Sequence, residues 1–283
     1  KYVLPGGVDQ HVHFSFEFNG AKVRGFESSK AAAAGGTTTV IEFVNQIRGK
    51  GLLEDHFDRA PELERRLAGD PAKEAILNQV VGISKLANIF YVRQKETKGL
   101  GHAIGCAREF VGDEPFAVLY GDDVILGEDP ACGQLMRAYE QFGSGVVGVK
   151  EVSREAIRKY SSLKVEHIQD NYFRCTDMVE KPQPGQEFSL YSILGRCVLP
   201  PEIFDILDNT PPGAGGEIQL TDAMARSLDR EALYAVVIDP LSGYDTGTPS
   251  GWMATNALMA ASDPRFAGAF WDAIDERGGL MRK

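Results

Sequence analysis

The run Phe116-Ala117-Val118-Leu119-Tyr120-Gly121-Asp122-Asp123 constrains this chain more than any other stretch. An apolar, partly β-branched segment that stops at a glycine and two carboxylates reads as a strand buried on both faces, as in the parallel sheet of an α/β protein. Such sheets meet their ligands beyond the carboxyl ends of the strands. A carboxylate on a rigid strand tip can hold Mg²⁺ against phosphate oxygens, because that ion prefers one or two carboxylates plus substrate oxygens to an all-protein cage. Asp122 is therefore the first candidate metal ligand. Taken alone, an Asp-Asp pair is equally a solvated turn that closes a strand.

The remaining bulk properties narrow the partners. A formal net charge of -10 on 283 residues argues against nucleic acid or an anionic membrane surface as the main partner. It does not exclude phosphorylated substrates, since a few lysines and a divalent cation reverse the field within one cleft. Cys106, Cys132, Cys175 and Cys197 have no metal-ligand spacing, so reduced thiols in a cytoplasmic protein are expected. No window approaches 18 uninterrupted apolar residues, and no membrane span is expected.

Along the chain, helices are predicted over 55–84 and around Gln134 to Phe142. Strands are predicted at Ile89–Val92, Gly145–Glu151, Leu194–Leu199 and Leu233–Ile238, with a helical tail running towards Met281. Gly213 to Ala223 reads as a structural helix entry, and His56 and His102 as packing or capping residues. The expected architecture is α/β, a three-layer α/β/α domain with a mostly parallel central sheet. Residues 1–250 form that domain and 251–283 a helical tail for subunit contacts, so a homo-oligomer is expected.

Two resemblances add to this reading. Residues 1–46 resemble the amino-terminal segment of the dihydropyrimidinase and hydantoinase family, through Leu4-Pro5-Gly6-Gly7-Val8-Asp9, the His11-x-His13 pair and Ala34-Gly35-Gly36-Thr37-Thr38-Thr39. That likeness implies a cyclic amidohydrolase with two histidine metal ligands, or a chimeric or misassigned segment. From Arg48-Gly49-Lys50 almost to the end, the chain resembles the bacterial UTP–glucose-1-phosphate uridylyltransferases. The second likeness implies a nucleotide-diphospho-sugar transferase fold, Mg²⁺, and the substrates UTP and glucose 1-phosphate, with UDP-glucose and pyrophosphate as products.

Residue by residue, that family likeness implies Asp122 and Asp245, the latter in Tyr244-Asp245-Thr246-Gly247-Thr248-Pro249, as metal ligands. It implies Gln94 as the reader of the uracil edge, with Gly99 allowing close approach of the nucleotide. Glu180 is implied to accept hydrogen bonds from glucose hydroxyls, and Lys181 to neutralise the sugar phosphate and serve in catalysis with Asp122. Gly6 and Gly7 are the candidates for the nucleotide-binding turn, because the family's Gly-x-Gly-Thr-Arg loop is not present here. A second departure is Ser161 after Lys159-Tyr160, where the family usually has glycine and where a side chain is expected to crowd the sugar. A crippled enzyme or a non-catalytic nucleotide-sugar binding protein is the alternative.

Overall fold

A computed structural model of the protein describes residues 57–85, 89–238 and 243–281 and, as backbone, four short strands before residue 41. Those strands are β1 (Val8–Asp9), β2 (Ser15–Phe18), β3 (Ala21–Arg24) and β4 (Thr39–Val40). Helices α1 (Pro61–Leu67), α2 (Glu74–Ile83), α3 (Leu100–Gly105) and α4 (Arg108–Val111) follow, then β5 (Phe116–Leu119) and β6 (Asp123–Ile125). Next come α5 (Ala131–Phe142), β7 (Gly145–Glu151), β8 (Ser161–Gln169), β9 (Tyr172–Glu180) and β10 (Tyr191–Leu199). The chain continues through α6 (Ile203–Asp208), α7 (Leu220–Ser227), β11 (Leu233–Val237), β12 (Gly243–Asp245), α8 (Pro249–Ser262) and α9 (Ala267–Met281).

Eight strands form one sheet in the order β4-β1-β5-β10-β7-β11-β9-β8. Alternation along β5 divides the core in two, because successive side chains leave a strand on opposite faces. Phe116 and Val118 pack with Ile104, Phe204, Leu207, Leu220 and Met224 on one side. Ala117 and Leu119 pack with Ala131, Leu135 and Ala138 on the other. Helices α3, α6 and α7 therefore cover one face and α5 the other, and the three-layer α/β/α expectation describes the observed fold. The rings of Phe116 and Phe204 stack with centroids 4.9 Å apart. Helix α5 presents Ala131, Leu135 and Ala138 from one face, at the spacing an amphipathic helix needs, and ends at Gly143 in the left-handed region.

The sheet is mixed rather than mostly parallel. Pairings β1–β4, β1–β5 and β7–β11 are parallel, whereas β10 lies antiparallel to both β5 and β7, and β9 runs antiparallel to β11 and β8. A continuous apolar run reports burial on both faces, which a strand acquires in either direction, so strand direction was not encoded in that signal. The predicted strand Ile89–Val92 joins no ladder, and Phe90 and Tyr91 are exposed. Its apolar, aromatic composition satisfies strand propensity, but a strand also needs a neighbouring edge to pair with. Phe26 to Ala34, which reads in sequence as a helix stopped by Gly35-Gly36, lies outside the described residues.

Candidate active site

The strip β6–β12 lies at the carboxyl end of β5 and brings two distant acids into one place. Asp123 pairs with Asp245 across the strip. Thr246 clamps the turn before it, donating from both its N–H (2.7 Å) and its hydroxyl (2.8 Å) to the carbonyl of Asp122. Gly247 N–H donates to Asp245 Oδ1 at 2.9 Å. A Cβ placed on Gly247 would stand 2.6 Å from Asp122 Oδ2 and 3.2 Å from Asp245 Oδ1, so both carboxylates crowd the same glycine. A side chain there would fill the space between them, and glycine keeps it open.

Behind these acids, the Asp122 turn is held by an arginine. Arg196 is 8% exposed, and its Nη1 donates to the carbonyls of Tyr120 (3.0 Å) and Gly195 (2.8 Å) while Nη2 donates to that of Asp123 (2.7 Å). A cation committed to three backbone carbonyls fixes the path from strand to turn. Burial and the neighbouring Asp245 charge push the Asp122 carboxyl up to about 6, and burial together with Asp122 pushes Asp123 up to about 7. Lys150 and Arg196 pull Asp123 the other way, and Arg196 does the same for Asp122. Acids held close in a poorly solvated pocket favour either a proton or a cation.

This has a testable pH dependence. The Asp123 carboxyl stands above its usual 3.8 in the folded chain, so the folded state holds more protons than the unfolded one between about 4 and about 7. Ionisation there takes stability away as pH rises through that window. Asp123→Asn, which never ionises, gains stability relative to the parent from pH 4 to 7 and holds a constant advantage above it. Melting temperatures of both proteins in chelator across this range measure the difference, and a flat difference contradicts the assignment.

Tyr160 links this carboxylate pair to the second group of predicted residues. Its hydroxyl donates to Asp245 Oδ2 at 2.6 Å, and its carbonyl accepts the N–H of Lys181 at 2.9 Å. Burial, and then the hydrogen bond to Asp245, push the phenol well above its usual range. Lys181 has φ +47°, a left-handed backbone that costs a residue with a Cβ on the order of 1 kcal/mol. Its side chain is exposed, and Glu180 beside it accepts from Thr221 Oγ1 at 2.7 Å. Burial raises the Glu180 carboxyl, while the Thr221 hydrogen bond and the Lys181 charge lower it. Sequence reasoning missed Arg196, Tyr160 and Thr221. An arginine inside the otherwise apolar Leu194–Leu199 run was the available signal for the first, and nothing local marks the other two.

Ser161 does not crowd the cleft. It is buried, its hydroxyl accepts the N–H of Ile193 at 3.2 Å, and it lies 3.4 Å from Ser192 Oγ, so the side chain points into the sheet.

Gln94 and Gly99 form a third group, on the loop that enters α3. Lys98 carbonyl accepts from Ile218 N–H at 2.7 Å, and Gly101 N–H donates to Ile218 carbonyl at 2.8 Å. Gly99 has φ +95°, and a Cβ on it would meet Glu217 Cβ at 2.6 Å. The glycine is thus required by the chain's own Glu217-Ile218 segment, a nearer demand than the nucleotide approach the sequence suggested. The Gln94 amide nitrogen lies 3.2 Å from Gly99 carbonyl and 2.7 Å from His102 Nδ1, while Oε1 is buried without a partner. A buried, unmatched acceptor costs about 1–3 kcal/mol until a donor arrives. The amide nitrogen is thus engaged within the protein.

Gly6, Gly7, His11 and His13 lie outside the described residues. Among the described residues, no group of three or more His, Cys, Asp or Glu is placed to hold a metal. Asp122 and Asp245 fit instead the sparse ligation in which a hard divalent cation takes one or two carboxylates and completes its shell with substrate oxygens and water.

The chain resembles known proteins over most of its length. Residues 33–262 match the family described as NTP_transferase, nucleotidyl transferase. That match takes in Ala34-Gly35-Gly36-Thr37-Thr38-Thr39, part of the stretch read above as amidohydrolase-like. A UTP–glucose-1-phosphate uridylyltransferase of Staphylococcus haemolyticus is 44% identical over 240 residues, 84% of this chain and 83% of that protein. One from Bacillus subtilis is 43% identical over 225 residues, 79% of this chain and 76% of that protein. Among solved structures, UDP-glucose pyrophosphorylase complexed with UDP-glucose superposes with TM-score 0.70 at 32% identity, covering 82% of this chain and 86% of the other. A UTP-bound UGPase from Acinetobacter baumannii superposes with TM-score 0.74 at 26% identity, covering 90% and 88%.

Proposed function

The chain belongs to the nucleotidyl transferase family, and from that membership we infer that it is a UTP–glucose-1-phosphate uridylyltransferase. It joins UTP to glucose 1-phosphate, giving UDP-glucose and pyrophosphate. A phosphate oxygen of the sugar attacks the α-phosphorus of UTP, a new P–O bond forms, and the bond to the β-phosphate oxygen breaks. Two polyanions have to meet, so the protein's work is positioning and charge neutralisation. The observation that carries the reading is the convergence of Asp122 and Asp245 on Gly247.

In this proposal Asp122 and Asp245 would hold Mg²⁺, whose charge would offset that of the substrate phosphates. Tyr160 fixes the orientation of Asp245 through its hydroxyl. Glu180, oriented by Thr221, accepts from glucose hydroxyls, and the exposed Lys181 ammonium meets the sugar phosphate. Gln94 reads the base. The free thiols of Cys106, Cys132, Cys175 and Cys197 support a cytoplasmic setting. No helix among the described residues is long and apolar enough to cross a membrane. Residues 1–250 act as the catalytic domain and 251–283 as a subunit-contact tail. Exposed Met253, Leu258, Phe266 and Trp271 on and between α8 and α9 support a homo-oligomer built through that tail. The amidohydrolase likeness of residues 1–46 has no supporting observation, and the family match already takes in residues from 33 onward.

The test is pyrophosphate release from UTP and glucose 1-phosphate in Mg²⁺, run beside hydrolysis of dihydrouracil and hydantoin in Zn²⁺. Saturable release at roughly 1–1,000 s⁻¹, the usual range for enzymes, is expected. UDP-glucose binding with no turnover would make the chain a binding protein, and cleavage of the cyclic amides would replace the proposal outright.

A further inference from the structure

Lys150 is a cation beside the carboxylate pair to which the reading above gives no role. Strand β10 lies antiparallel to both β5 and β7, so those two run the same way and end at one edge of the sheet. Asp122 follows β5 at that edge, and Lys150 is the penultimate residue of β7. Its ammonium stands 5.9 Å from the centroid of the Tyr160 ring, and the hydroxyl of that same ring donates to Asp245 Oδ2 at 2.6 Å. Lys150 is half-buried, and among the described residues no carboxylate forms an ion pair with it. A ring face attracts a cation without taking up its hydrogen bonds, so the ammonium keeps its donors for another acceptor.

We propose that Lys150 is a binding residue for the phosphate chain of the nucleotide, its ammonium donating to phosphate oxygens beside Asp122 and Asp245. This rests on the reaction given above. A triphosphate carries more negative charge than one divalent cation offsets, and Lys181 is assigned to the sugar phosphate. The Gly-x-Gly-Thr-Arg loop, whose arginine would meet the triphosphate, is not present in this sequence. Lys150 supplies a cation at the edge where that charge has to be met. A compact charge on a flexible stem follows a phosphate chain as its bond breaks, where a rigid fork would hold one geometry. Tyr160 then serves two groups at once, orienting Asp245 through its hydroxyl and holding the ammonium through its ring.

The experiment measures calorimetric binding of inorganic pyrophosphate in Mg²⁺, and of Mn²⁺ alone, to the parent, Lys150→Gln, Lys150→Met and Lys150→Arg. Steady-state KM values for UTP and glucose 1-phosphate are taken beside them. Both neutral variants are expected to bind pyrophosphate about tenfold more weakly or worse, the scale of one charge-assisted hydrogen bond. Their KM for UTP rises in step, the KM for glucose 1-phosphate holds, and Lys150→Arg keeps most of the affinity. Mn²⁺ affinity stays level or rises, because a positive charge has left the neighbourhood of the acids. Pyrophosphate affinity within twofold of the parent, in either neutral variant of parental melting temperature, overturns the proposal. So does an equal loss of Mn²⁺ and pyrophosphate affinity, which marks a residue that only shapes the carboxylates, and so does a parent that binds no pyrophosphate. Two neutral variants of different polarity keep a folding loss in one from being read as lost binding. A parent that binds pyrophosphate without releasing it from UTP defeats the reaction reading alone, and Lys150 is then judged by the binding measurements, with the same outcomes.

Discussion

Asp122→Asn lowers kcat for pyrophosphate release by about a hundredfold to a thousandfold, the scale of losing one preorganised electrostatic contact at a reacting phosphate. The substitution keeps the shape of the side chain and removes its charge. Thr246 still clamps the turn through the Asp122 carbonyl, which the substitution leaves in place. On the proposed ligation Asp245 alone would then face the cation, and its orienting contacts from Tyr160 and Gly247 are unaffected. The loss is therefore expected in kcat and in the Mg²⁺ concentration at half-maximal rate, while in chelator above pH 6 the melting temperature rises, because the neutral side chain is spared the burial that pushes the Asp122 carboxyl up to about 6. Steady-state rates over a Mg²⁺ series measure both. A variant that keeps more than a tenth of the parent's kcat at saturating Mg²⁺ would remove Asp122 from the metal site.

Arg196→Met has its main effect on stability. Methionine keeps an unbranched stem of similar reach and deletes the guanidinium, leaving the carbonyls of Tyr120 and Asp123 without that donor in a part-buried setting. Hydrogen bonds from a charged donor contribute about 1.5–3 kcal/mol each, and the losses here share one group, so a total of about 3–5 kcal/mol is expected. For a chain of this size that corresponds to a fall of roughly 6–20 °C in melting temperature. Arg196 also offsets the charge of Asp122 and Asp123, so both carboxyls hold their protons to still higher pH without it. Thermal unfolding with and without Mg²⁺ tests this, and a shift below 2 °C would show that water or a neighbour replaces the guanidinium without cost.

The strand that places Asp122 was legible because it is local: an apolar run ending in acids reports burial and its limit within eight residues. Asp245 and the Glu180-Lys181 pair were legible through family resemblance, as spacing alone leaves each a turn residue or a solvated pair. What stayed hidden depends on partners distant in the chain. Nothing near Tyr160 says that its phenol reaches Asp245, 85 residues away. Gly99 was read as making room for a ligand, because the contact that forbids a side chain comes from Glu217. Ser161 was expected in the cleft, because strand period says that successive side chains alternate and not which face is the open one. The direction of β10 was equally silent, since a run buried on both sides carries no arrow.

The segment from Glu217 to Thr221 acts as a ruler. Ile218 grips the loop of Gln94 by its N–H and its carbonyl, and three residues later Thr221 grips Glu180. The separation between the Gln94 loop and Glu180 is thereby set by a few peptide units of one stretch of main chain, which neither stretch nor compress appreciably. On the proposed roles of Gln94 and Glu180, a molecule reaching both is measured for length by backbone, and side-chain exchanges at either end alter which groups are grasped without altering how far apart they must be.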